Sequence, residues 1–327
     1  MTLHTDEEAF REAVRATAGA LGMQETFVEK DYWVTWMLRN LADSEWAGQV
    51  VFKGGTSLSK AYRLVERFSE DVDLALIRPA GATPAALKRL LGQVHHVAAG
   101  ELPEVPGLGS KRGKSRLVYH RYPQLFTAAI PVATEYLLLE ITAFGRPNPH
   151  VRLPLISYVG EQLLATGYAA TVAEYGLAEF GFNVLSLERT FAEKILALVR
   201  ASYADNPAAE AGRKVRHLYD LHHLIARAEV AAALQGPAFF EMLAAVQADD
   251  ATAGVEGPTR DWKTKPLGAS WVFADDAANV AQLRRAYEQD LPGLLHGTAP
   301  AFADVQRTMQ QIAAQLQAYD VQTRQSD

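Results

Sequence analysis

The sequence predicts a mixed α/β domain followed by a helical one. Short β-like runs alternate with a glycine turn and amphipathic stretches between Val50 and Thr142, whereas from Ser186 onward apolar residues recur at helical spacing. No internal repeat or low-complexity segment interrupts either part. With 327 residues the chain has room for two domains, placed at 1–185 and 186–327.

In chain order, Thr5-Asp6-Glu7-Glu8 has capping-box spacing for a first helix that stops at Gly22. A second helix is expected over Glu25–Leu41, with the tyrosine and tryptophans at 32–36 as core. Val50–Phe52 reads as a strand, Ser57–Phe68 as a helix and Val72–Ile77 as a strand. A helix near Ala85–Ala99 precedes a basic loop, and Glu135–Thr142 is a third strand. Three helical patterns follow within Ser186–Ala248, then a Gly/Pro/Trp-containing connection over Gly254–Trp271, then helices near 276–290 and 301–319.

Composition narrows the function. A hydrophobic share of 49% supports a real core, and the absence of cysteine excludes disulfides and thiolate metal sites. MTLHTDEEAF lacks the order of a signal peptide, and the richest apolar run, YLLLEITAF, is broken by Glu140. A cytoplasmic protein without a membrane span is expected. The net charge of −6 argues against whole-molecule attraction to nucleic acid. Yet Val105–Thr134 holds no acidic residue, while Lys111, Arg112, Lys114, Arg116 and Arg121 mix with Tyr119, His120 and Tyr122. Arg213, Lys214, Arg216 and His217 form a second cluster. Each is either a polyanion contact or an ordinary solvated loop.

The chemistry gathers around FKGGTSLSKAYRLVERFSEDVDLALI, residues 52–77. Asp71 and Asp73 are two apart on an expected strand, so their side chains leave one face about 6.6 Å apart along the backbone. Two carboxylates on an apolar strand repel and resist desolvation unless a cation joins them. Such spacing suits divalent ions about 3.5–4 Å apart, as in phosphoryl and nucleotidyl transfer, and all-oxygen ligands favour Mg²⁺ or Mn²⁺ over zinc. Glu140, between Leu139 and Ile141, is the expected third ligand. Gly54-Gly55-Thr56-Ser57, between strand end and helix start, offers backbone N–H groups and hydroxyls to phosphate oxygens, and Lys53 stands just before it. The spacing is not that of a Walker A loop.

Strand, Gly-Gly-hydroxyl turn, helix, Asp-x-Asp strand and later acidic strand together resemble the DNA polymerase β-like nucleotidyltransferase superfamily. EKDYWV (Glu29–Val34), FKGGTSLSKAY, RFSEDVDLAL, LERTFAEKILAL (Leu187–Leu198) and RHLYDLHHL (Arg216–Leu224) narrow the resemblance to AbiEii/AbiGii-type nucleotidyltransferase toxins over about 25–225. The resemblance implies a polymerase β-like palm with N-terminal helices and a helical C-terminal domain. It implies metal-dependent transfer of a nucleoside monophosphate from an NTP to RNA, notably the 3′ end of tRNA, by the toxin of a toxin–antitoxin or phage-defence system with a cognate antitoxin. Asp71 and Asp73 become metal ligands, Gly55, Thr56 and Ser57 triphosphate contacts, and Lys194 and Asp220 match helical-domain motifs.

Lys194 has independent support. On its helix Leu187, Phe191, Ile195 and Leu198 make the apolar face, and Lys194 sits at that face's edge. A lysine there needs a partner, a nucleotide phosphate or Asp220 or both; the alternative is a snorkelling lysine. Asp220 orients Lys194 or a substrate hydroxyl, or makes a structural salt bridge. For Glu29, Lys30 and Asp31 a helix-packing ion network is expected. Ser69, two residues before Asp71, shares the acidic face if the strand begins that early, and a phosphate there would add roughly −2 charge and inactivate the enzyme. His95-His96 and His222-His223 lack zinc spacing. The competing readings are a nucleotidyltransferase acting on a small molecule or a protein, and an inactive nucleotide- or RNA-binding relative.

Overall fold

The computed structural model describes residues 2–69, 71–127, 135–252 and 260–326. Glu70, the 128–134 end of the basic stretch and residues 253–259 of the Gly254–Trp271 connection lie outside the described residues. The chain divides into two compact units: Met1–Arg63 with Phe68–Leu185, and Leu64–Arg67 with Ser186–Asp327.

The first unit opens with α1 (Glu7–Leu21) and α2 (Glu25–Ala42). Asp6, not Thr5, caps α1, its carboxylate accepting the Ala9 N–H, because Thr5 closes a preceding 3₁₀ turn. Gly22, at φ 65°, ends the helix in the left-handed conformation that favours glycine. There follow β1 (Val50–Lys53), α3 (Gly54–Lys60), β2 (Val72–Leu76), α4 (Pro84–Ala99), β3 (Ser110–Arg112), β4 (Ser115–Arg121) and β5 (Tyr136–Thr142). The unit ends with β6 (His150–Leu155), α5 (Tyr158–Ala165), α6 (Ala169–Glu174) and β7 (Phe180–Leu185).

Seven strands form one mixed sheet in the order β3-β4-β5-β2-β1-β7-β6. β2–β5 and β1–β7 pair parallel, the rest antiparallel. Alternation assigns the faces. Val72, Leu74, Leu76, Leu137, Leu139 and Ile141 are fully buried in the core with Trp33, Met37 and Leu38 of α2 and Leu91 and Val94 of α4. Asp73, Leu138 and Glu140, on the opposite face, are only half-buried.

Two expectations are corrected, and two strands are added. The expected helix Ser57–Phe68 begins earlier and stops at Lys60, with Arg63 left-handed at φ 51°. Lys60 is drawn into an ion pair there, and the chain beyond it leaves the helical path. The basic loop is the hairpin β3–β4: Val118 and His120 turn inward while Arg112 and Arg121 stay exposed at the sheet edge. Strands β6 and β7 had no clear signal, since HVRLPL contains proline and FGFNVL glycine.

Glu29, Lys30 and Asp31 pack α2 as expected, but Glu29 and Lys30 bond backbone groups and Asp31 makes the ion pair, so each side chain ties α2 to a different segment. Glu29 accepts the N–H groups of Leu125 (2.7 Å) and Phe126 (3.3 Å), and Lys30 donates to the Tyr136 carbonyl at 3.1 Å. Asp31 holds the buried Lys60 ammonium at 2.5 Å and accepts the Tyr158 N–H at 2.8 Å. Burial lowers the Lys60 pKa, and Asp31 opposes that shift.

The second unit is helical: α7 (Leu187–Ser202), α8 (Pro207–Gly212), α9 (Val215–Ile225), α10 (Ala228–Ala233), α11 (Pro237–Thr252), α12 (Ala277–Asp290) and α13 (Phe302–Ser326). α7 packs on α8, α9 and α11, while α12 and α13 pack on α9.

Burial pushes the Glu29 carboxyl up to about 7, against the opposing pull of the two amides and of Arg11 and Lys30. In the unfolded chain it ionises near 4.5, so between these values only the native state keeps the proton. Unfolding free energy should therefore fall as pH rises from 4.5 to 7 and stay level above. Glu29→Gln should flatten that slope in urea titrations across pH; an unchanged slope would contradict the assignment.

Candidate active site

β1, β2 and β5 lie side by side, and their register sets three charged side chains in one row. Lys53 pairs with Asp73, and Asp73 pairs with Glu140. Paired residues on adjacent strands project from the same face, at a strand spacing of about 4.8 Å. Leu117 of β4 extends the row on the far side of Glu140. Asp71 was expected on the strand but lies one residue ahead of it, because pairing begins at Val72.

The glycine turn is the first turn of α3, not a loop before it. Gly54 has φ 78°, and a β-carbon on it would overlap the Asp73 carboxylate oxygen Oδ2. Only glycine lets the start of α3 approach that carboxylate so closely. Ser57 donates its hydroxyl to the Gly54 carbonyl at 2.9 Å, which ties the turn to itself. The Thr56 and Ser69 hydroxyls are 2.8 Å apart, so Ser69 touches the turn although it precedes the strand by three residues. Gly55 is half-buried beside them.

Asp73 and Glu140, level and all-oxygen, have the donor chemistry suited to a hard divalent cation, and the glycine lets the start of α3 pack directly on Asp73. Among the described residues no three His, Cys, Asp or Glu side chains gather closely enough to hold a metal ion. The level pair is what the fold preforms, with Asp71 two residues from it along the chain.

Lys194 and Asp220 meet in the second unit. Asp220 on α9 is fully buried and takes the Lys194 ammonium of α7 at 2.6 Å on Oδ2. The snorkelling reading fails, since Lys194 is only 5% exposed. Arg67, absent from the sequence-based set, grips the same carboxylate with Nε at 2.6 Å and Nη2 at 2.8 Å. Its partner stands 153 residues away, so no local pattern signals it. Burial by itself would raise the Asp220 pKa, but Arg67 and Lys194 outweigh it and hold the carboxyl well below its usual range. His217, its Nδ1 3.4 Å from the lysine nitrogen, is kept neutral by burial and by Lys194.

Each histidine pair finds partners elsewhere in the fold, although the His222 and His223 rings also meet edge to face, 5.6 Å between centroids. His95 meets His120, with Nε2 atoms 3.1 Å apart, and His222 meets Thr308. These are packing contacts, as their spacing suggested.

The sequence model of the family described as "Nucleotidyl transferase AbiEii toxin, Type IV TA system" matches residues 36–313. The match begins after the EKDYWV motif and extends well past residue 225, where the sequence resemblance faded. Among solved structures, the chain is similar to MenT4, a nucleotidyltransferase toxin from Mycobacterium tuberculosis H37Rv. The two are 20% identical over 93% of this chain and 97% of that one, with a TM-score of 0.49. No curated protein sequence matches the chain.

Removing the shared carboxylate should be far more damaging than removing one of its cations. Asp220→Ala leaves Arg67 and Lys194 buried together and should destabilise the protein by about 3–5 kcal/mol in urea titrations. Lys194→Met keeps the Arg67 fork and should lose much less; equal losses in the two variants would contradict this division.

Proposed function

The chain belongs to the AbiEii family of nucleotidyltransferase toxins of type IV toxin–antitoxin systems, and we propose that it moves a nucleoside monophosphate from an NTP to a hydroxyl of RNA, the 3′ end of tRNA. The observation that carries this reading is the level row Lys53–Asp73–Glu140 with Gly54 packed on Asp73.

In this reading the level pair Asp73 and Glu140, joined by Asp71 from the segment just ahead of β2, would hold Mg²⁺ or Mn²⁺, which would neutralise charge at the α-phosphate and make the acceptor hydroxyl more acidic. Lys53, Gly54, Gly55, Thr56 and Ser57 line the phosphates: Lys53 supplies a cation beside Asp73, and the Thr56 hydroxyl turns from Ser69 to a phosphate oxygen. Lys194, held by Asp220, offers a second cation to the triphosphate. The acceptor oxygen bonds to the α-phosphorus, the bond to the β-phosphate breaks, pyrophosphate leaves and the hydroxyl proton passes to solvent. Rate enhancement comes from positioning and charge neutralisation. Phosphorylation of Ser69 would place roughly −2 charge against Thr56 and block the turn. A cognate antitoxin is the expected protein partner. No helix among the described residues is long and apolar enough to cross a membrane.

Purified protein incubated with α-labelled NTPs, Mg²⁺ and total RNA should label RNA. Asp71→Ala or Asp73→Ala should abolish labelling with an unchanged circular dichroism spectrum, and Lys194→Ala should weaken NTP use severely. Gly54→Ala should act like Asp73→Ala, since its methyl displaces the carboxylate. Near-normal transfer by Asp73→Ala would overturn the assignment, and label on protein or small molecules alone would move the acceptor away from RNA.

A further inference from the structure

The half-buried face of the sheet carries a second group beside the charged row. Along β4, Leu117, Tyr119 and Arg121 stand opposite Glu140, Leu138 and Tyr136 of β5, so all six share the face of Asp73. The Tyr119 and Tyr136 rings meet edge to face, their centroids 6.4 Å apart and planes at 80°. The Arg121 guanidinium lies 5.2 Å from the Tyr136 ring centroid. Both rings are half-buried and Arg121 is exposed. Tyr136 is four residues from Glu140, about 13 Å along the strand.

Charge sets this edge of the sheet apart. The protein as a whole carries −6, yet from Val105 to Thr127 it has no acidic residue and five lysines and arginines. Of these, Lys111 pairs with Glu104 at 2.5 Å, and Arg112 and Arg121 are exposed on the hairpin. Ring faces, a guanidinium plane and a local positive charge suit unpaired bases and their phosphates, because every base has a face that can stack on an aromatic side chain. A duplex would hide those faces.

We infer that Tyr119, Tyr136 and Arg121 form a stacking platform for a single-stranded RNA segment, which orients the acceptor toward the row at Asp73 and Glu140. The platform names the acceptor class of the transfer proposed above and rests on that reading. The bases lie against Tyr119 and Tyr136, and Arg121 meets a phosphate while bracing the Tyr136 ring. Because the rings supply stacking, the site is tolerant of sequence.

Binding can be measured without turnover. A fluorescein-labelled single-stranded oligoribonucleotide is titrated with full-length protein in EDTA without NTP, and labelling of the same oligonucleotide is followed separately with NTP and Mg²⁺. Tyr119→Ala and Tyr136→Ala should each raise Kd about five-fold or more. Tyr119→Phe and Tyr136→Phe should stay near wild type, since the ring is what matters. Arg121→Ala should weaken binding and lower its salt dependence by about one ion, whereas Arg213→Ala, in the other basic cluster, should not. Wild-type binding in all three alanine variants, or no binding by wild type, would overturn the platform. If those variants bind and are labelled like wild type, the platform fails while transfer to RNA stands. If wild type labels only protein while the alanine variants still lose the oligonucleotide, the platform stands and the RNA acceptor fails.

Discussion

The parallel pairing of β2 with β5, in the one register that sets Asp73 beside Glu140, is the constraint from which the rest of the site follows. Strand side chains alternate with a period of two, so a slip of β5 by one residue would turn Glu140 into the core and expose Ile141. The hydrophobic face therefore fixes the acidic one. Val72, Leu74, Leu76, Leu137, Leu139 and Ile141 are all fully buried, and a one-residue slip of either strand would expose half of them. Repulsion between neighbouring carboxylates is held in place by the burial of their apolar neighbours, and Lys53 in the same row offsets part of it.

α2 plays the matching role on the covered face. Three consecutive charged residues in a helix that otherwise packs into the core would ordinarily oppose folding. Each instead reaches a different part of the first unit: Glu29 the chain after β4, Lys30 the start of β5, and Asp31 both the end of α3 and the start of α5. The helix thus anchors the ends of the elements that carry the glycine turn and Glu140. Lys60, captured by Asp31, is the last residue of α3, and the left-handed Arg63 beyond it keeps the helix from running on.

Much of this was legible in the sequence because it is local or periodic. β1, β2 and β5 showed in their apolar runs, and the acids showed because they interrupt those runs. The network at Glu29-Lys30-Asp31 could be expected from charge on a core helix, though not its partners. The β3–β4 hairpin was hidden by its own surface: an edge strand with lysines and arginines reads as loop, and only the inward Val118 and His120 betray the alternation. Arg67 was illegible for a different reason. Its meaning depends on Asp220, and pairing across so long a separation leaves no spacing to read. In the sequence Gly54 reads as part of a turn that offers backbone N–H groups to phosphate, whereas the structure adds the missing β-carbon that lets α3 pack on Asp73.

The Arg67–Asp220–Lys194 cluster shows how far stability explains a buried charge. Arg67 alone matches both carboxylate oxygens, Nε to Oδ1 and Nη2 to Oδ2, in the fork geometry that makes arginine pairs strong. Lys194 then shares an oxygen already taken. Replacing buried ions with apolar side chains of similar volume is often neutral or stabilising, so a second cation on one carboxylate is not what the packing of α7 against α9 requires. Arg67 accounts for the stability of Asp220, and Lys194 is the member whose presence stability leaves unexplained. A lysine held by a shared carboxylate is also easier to draw onto another anion than one with a carboxylate to itself. That asymmetry assigns Arg67 to the frame and sets Lys194 apart from it.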